Sequence, residues 1–131
     1  MNNRIPDYFT IINLDSVGEV TKSRWIGTFK VKCVLTHMDR MALERVYTEL
    51  LPPKANENAS EDIKLRAATI AELSVRVIEG PEWWNASRNG QLLVDSEPLY
   101  DLMVKCNEAY KDWSNRLNQA ANSEEDAILK P

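Results

Sequence analysis

Glycine, histidine and cysteine are all scarce in this chain of 131 residues, and each shortage narrows its chemistry. The four glycines, Gly18, Gly27, Gly80 and Gly90, stand far apart, so no glycine-rich loop is available to cradle a phosphate. The single histidine, His37, falls in the first turn of an expected helix and reads as a surface or capping-region residue rather than a general base. Cys33 and Cys106 lie far apart without metal-ligand spacing and read as buried free thiols rather than a disulfide. The acidic groups Glu61-Asp62 and Glu124-Glu125-Asp126 read as a solvated helix start and a tail. No catalytic, metal-binding or cofactor-binding residue is assigned, and a non-enzymatic protein without a cofactor is expected.

Long apolar runs are missing too. Nothing approaches the roughly 18 consecutive apolar residues that cross a bilayer. The opening MNNRIPDYFT has no apolar core of a secretion signal, so folding in a reducing cytosol is expected. In that compartment the sequons Asn58-Ala59-Ser60 and Asn85-Ala86-Ser87 are chance matches. A basic block is also absent. Residues 1–60 carry eight Lys/Arg against seven Asp/Glu, and residues 61–131 eight against thirteen, which argues against duplex binding through phosphate neutralisation as the main task.

Hydrophobic residues make up 44% of the chain, enough for one domain with a modest core. Residues 8–14 (YFTIINL) are β-rich, and a turn follows around Gly18. Thr28 to Leu35 alternates with period two, placing Phe29, Val31, Cys33 and Leu35 on one face and Thr28, Lys30, Lys32 and Val34 on the other. These two segments are expected to pair. Thr36 caps an expected helix over 37–51, whose stripe of Met38, Met41, Ala42, Arg45, Val46 and Leu50 is imperfect. A polar loop is expected over 51–60. Ser60 then caps a second helix with Ile63, Ala67, Ile70, Leu73 and Val77 as its buried stripe, stopped by Gly80-Pro81. Ser96 caps the third, with Leu99, Leu102, Met103, Cys106, Tyr110, Trp113 and Leu117 spaced at 3.6 residues. The expectation is a single α+β domain over 1–119, a small antiparallel β-hairpin or sheet packed against about three helices, with 120–131 a flexible or partner-ordered acidic tail.

Half of the four tryptophans, Trp83 and Trp84, fall together between two helices. Neighbouring side chains on an extended segment point apart, so one indole is expected to fill the core and the other to lie nearer the surface, where tryptophan serves as a binding anchor. Tyr110 and Trp113, at the far end of the third-helix stripe, are the part of that helix most suited to reach a partner. Lys30 and Lys32 share a strand face that would suit phosphates or an acidic protein surface.

The segment Trp25-Ile26-Gly27-Thr28-Phe29-Lys30-Val31-Lys32-Cys33-Val34-Leu35-Thr36 resembles the W-x-G-x-F-x-V-K-x-x-L-T opening of small proteins encoded in tailed-bacteriophage structural gene clusters. Leu73 to Val77, Pro81-Glu82-Trp83-Trp84, Asn89-Gly90 and Leu92 to Asp95 follow in the order such proteins show, so the resemblance spans roughly Leu14 to Trp113. It implies a tail-assembly chaperone-like protein, or a structural component of the virion (tail, neck or capsid-associated). Its partners would be other phage structural proteins, such as a tail subunit, the tape-measure protein or neighbouring virion proteins, or further copies of itself. Its place would be the host cytoplasm during assembly, or the particle itself. A small nucleic-acid-binding or host-targeting regulator is the alternative of another class, supported by the strand lysines alone.

Overall fold

Period-two alternation drives the first two strands together. In the computed structural model, which describes the backbone of residues 5–129 and the side chains of residues 5–122, β1 (Phe9–Val17) and β2 (Arg24–Lys32) form an antiparallel hairpin. Its register runs from Phe9 opposite Lys32 to Val17 opposite Arg24. Leu14, Phe29 and Val31 point inward and are buried. Both strands extend further toward the turn than the apolar pattern indicates. Ser16 occupies an inward position there and is buried, but its hydroxyl donates to Asp101 at 2.6 Å, so the polar residue is satisfied and the ladder continues. The other end is shorter than expected: β2 stops at Lys32, and Cys33 to Leu35 lead into the next helix.

Helix α1 (His37–Leu50) starts where expected, with a complete capping box between Thr36 and Asp39. The anticipated loop after it contains a short helix, α2 (Pro53–Asn58). Proline is well suited to a first helical position, because its missing N–H would be unpaired there anyway. Ser60 caps α3 (Glu61–Arg76) by accepting from the Ile63 N–H at 3.2 Å. This helix ends earlier than the Gly80-Pro81 signal implies. The β-branched pair Val77-Ile78 instead enters β3 (Val77–Glu79), which pairs antiparallel with β2 and completes a sheet of order β1-β2-β3. Arg76 fixes the switch. It is buried, donates from Nη1 to the carbonyls of Lys32 and Cys33 at 3.0 and 3.1 Å, and pairs with Glu72 at 2.7 Å.

A one-turn helix, α4 (Glu82–Ala86), and a long helix, α5 (Glu97–Leu129), follow. Pro98 sits in the first turn of α5 as expected; Ser96 accepts a hydrogen bond from Arg66 Nη1 at 3.1 Å. The sequence reading ends this helix near Leu117 and begins a tail at Ala120, whereas the backbone stays helical through Leu129. No glycine or proline stands between Pro98 and Pro131, and the alanine- and glutamate-rich text carries no stop signal. Side chains from 123 onward, and thus the acidic cluster of the expected tail, lie outside the described residues. The fold is α+β: a three-stranded antiparallel sheet with α1, α3 and α5 as its longer helices. One core joins Leu14, Phe29, Val31, Leu73, Trp84, Leu99, Leu102 and Cys106.

Candidate docking site

The two adjacent indoles sit on α4, not on an extended segment. Successive side chains on a helix are turned by roughly 100° rather than opposed, and this sends the pair to different depths. Trp84 enters the core at 1% exposure, edge-on to Phe29, and its indole N–H has no partner among the described residues. Trp83 is half-buried. It packs on Trp25 at 5.0 Å between ring centres and on Phe29 at 5.8 Å, and donates its N–H to the Ile26 carbonyl at 2.9 Å. Its polar handle is therefore used within the chain. Behind α4, Arg88, Asn89 and Gly90 all adopt positive φ, at 53°, 57° and 90°. Gly90 faces Trp84 and Leu99 so closely that an added Cβ would come within 2.8 Å of Leu99 Cδ1. Glycine meets both the conformation and the space there.

Tyr110 and Trp113 lie elsewhere, where α5 passes the start of β1. Tyr110 is 45% exposed, so it leaves the expected core stripe and stacks on half-buried Trp113. Trp113 meets Tyr8 edge-on and donates its N–H to the Pro6 carbonyl at 3.2 Å. Lys30 and Lys32 share the outer sheet face but have separate engagements. Lys32 pairs with Asp39 at 2.5 Å and holds that carboxyl below its usual range, while Lys30 lies over the Phe9 ring at 5.5 Å. The six residues singled out from sequence thus fall into three separate groups.

Asp95 is the polar hub that sequence reasoning missed. It is buried, and its carboxylate accepts from the Val20 N–H at 2.9 Å, the Thr21 N–H at 3.0 Å, the Thr21 hydroxyl, and the Trp25 indole N–H at 2.9 Å. The Thr21 hydroxyl bond, reinforced by these backbone and indole donors against the cost of burial, lowers its pKa to about 2. Gly18 leaves no room for a side chain, since any Cβ there would collide with this carboxylate. A carboxylate with its lone pairs so fully used is an anchor for the hairpin loop. The thiols of Cys33 and Cys106 are buried, and burial raises both, Cys106 to about 12. Among the described residues no cluster of metal-ligating side chains occurs, and no helix is long and apolar enough to cross a membrane.

Apolar side chains are also left to solvent on α1 and α3. Not one residue of α1 is buried. Met38 and Met41, one turn apart, are 81% and 65% exposed. Leu65 on α3 is also exposed and, with Leu43 and Tyr47, lines an open groove of about 420 Å³ between the two helices. Ile63, expected in the buried stripe of its helix, is exposed as well, and the burial of α3 comes from Ala67, Thr69, Ala71, Leu73 and Arg76. The available signal was the imperfect stripe of α1, whose apolar face is interrupted by Arg45 and ends in two methionines. No family model, characterised protein or solved structure matches the chain.

Proposed function

We propose that this chain is a non-enzymatic bacteriophage morphogenesis protein that acts through protein–protein contacts, as a tail-assembly chaperone does, and that the exposed Met38–Met41 face of α1 holds its client. The observation that carries this reading is the exposure of Met38 and Met41 on a helix with no buried residue. Burying apolar area returns about 25 cal/mol per Å², so such a face gains by being covered. Methionine is flexible and polarisable, which suits a grip that must accept a client and later release it. The resemblance of Trp25 to Thr36 and of Pro81 to Trp84 to phage structural-cluster proteins supplies the client class: a tail subunit, the tape-measure protein or a neighbouring virion protein. The work would take place in the host cytoplasm during assembly.

Co-expression with the tail proteins of the same gene cluster tests the proposal. The wild-type chain is expected to keep one of them soluble and to co-purify with it. The double variant Met38→Glu/Met41→Glu is expected to weaken capture by about tenfold or more, with thermal stability changed by only about 0.5 kcal/mol, as for other exposed positions. Failure of the wild type to capture any of them, or full capture by the double variant, would overturn the assignment. Mass spectrometry of purified particles then separates a departing chaperone from a retained virion component.

A further inference from the structure

Asn89-Gly90 is the only Asn-Gly pair in the chain, and it carries a chemistry of its own besides making a turn. When the peptide nitrogen after an asparagine attacks the side-chain amide carbon, that nitrogen loses its proton, ammonia leaves, and a five-membered succinimide closes. Water then opens the ring at either carbonyl, giving aspartate or isoaspartate. A following glycine makes the attack easiest, because no side chain hinders its nitrogen and its backbone turns freely. Asn89 is exposed, but the fold withholds the nitrogen. Gly90 is buried, and its N–H donates to the Ser87 hydroxyl at 2.9 Å. Ser87 is itself only 5% exposed, and its hydroxyl donates in turn to the Trp84 carbonyl at 2.6 Å. The turn is closed around this bond: the Gln91 N–H returns to the Arg88 carbonyl at 3.3 Å and the Leu92 N–H to the Ser87 carbonyl at 2.9 Å. The proton that must leave is therefore engaged away from water, and the Ser87 bond has to break before the ring can form.

We propose that Asn89 is a latent modification site: it converts to aspartate or isoaspartate when the 87–92 turn opens, and Ser87 is the residue that keeps it closed. The isoaspartate branch makes the conversion a one-way record of opening. Isoaspartate carries the backbone through the former side chain and adds a methylene between the Asn89 Cα and the Gly90 nitrogen. Gly90 lies so close to Trp84 and Leu99 that even a Cβ on it would come within 2.8 Å of Leu99 Cδ1 and 3.1 Å of the Trp84 ring. A lengthened chain there cannot regain both the Ser87 bond and that contact, so a molecule that has opened and converted loses the close cover over Trp84.

Peptide mapping with mass detection reads the conversion, on the full chain held in mildly alkaline buffer with and without urea. The unfolded chain is expected to convert at Asn89 ahead of its other asparagines. The folded chain is expected to convert there at least about tenfold more slowly, since a modification that requires opening follows the population of the open form. Ser87→Ala removes the acceptor of the Gly90 N–H and is expected to raise the rate in native buffer by about tenfold, with native circular dichroism. Should that variant fail to fold, hydrogen exchange at Gly90 of the wild type decides: across low urea concentrations, exchange and conversion are expected to rise together. Chains carrying isoaspartate, once separated, are expected to melt below unmodified ones. Equal rates in folded and unfolded wild type would overturn the proposal. So would a folded Ser87→Ala that converts no faster, conversion that does not follow Gly90 exchange, or an isoaspartyl chain that melts with the unmodified one.

Discussion

Trp84 and Trp83 differ in what their removal exposes. Trp84 fills the space between Phe29, Gly80, Gly90 and Leu99, so Trp84→Ala is expected to cost about 3–5 kcal/mol in urea or thermal unfolding. Trp83→Ala removes a half-buried ring and one hydrogen bond to Ile26 and is expected to cost clearly less. Equal losses would contradict the division of depth between them. Asp95 gives a pH-dependent expectation. Its pKa falls from 3.8 to about 2 in the folded chain, so its contribution is complete above the unfolded value and is lost as pH falls through about 2. The melting temperature of wild type should therefore exceed that of Asp95→Asn at about pH 5, and the gap should narrow on acidification. A gap independent of pH would assign the effect to shape alone. At this scale, the residues legible in the sequence were those with a local rule: Thr36 and Ser60 as caps, and Phe29, Val31 and Cys33 as an inward row. Asp95 was not legible because its donors come from residues 20–25, distant in sequence, and Trp84 was not because its depth depends on α4 being helical.

Elements were legible where pattern and stop signals agreed. The hairpin, α1 and the start of α3 follow from alternation and caps. The end of α3 did not, because the pattern of Ile63 to Val77 continues through a point where tertiary contacts take over. Arg76 there ties the last turn to the carbonyls that close β2, and the three residues beyond it become a strand. Arg76→Met keeps the aliphatic volume but leaves those carbonyls without their donor. It is expected to lower stability by about 2 kcal/mol and to raise amide exchange in β3 and in the turn into α1 more than in α5. Uniform exchange across the chain would deny Arg76 this local role. α1 shows the complementary case: its N-terminal cap is right and its stripe is weak, and the structure leaves Met38, Met41 and Arg45 open to solvent while Ala42, Val46 and Leu50 are half-buried.

At the scale of the molecule, the α+β class followed from two alternating segments and three amphipathic ones, whereas which faces remain uncovered depended on how those segments stack. The proposed client face lies on α1, apart from the core that joins sheet and helices, so the Met38→Glu/Met41→Glu variant should lose capture while melting close to wild type. One arrangement described above has an optical corollary. Trp25, Trp83 and Trp84 form a chain of ring contacts at 5.0 and 6.2 Å, while Trp113 stands apart beside Tyr8. Closely spaced indoles couple their electronic transitions, so the near-ultraviolet dichroism of this chain reports the closure of the hairpin onto α4, and the emission of Trp113 alone follows the junction of β1 with α5.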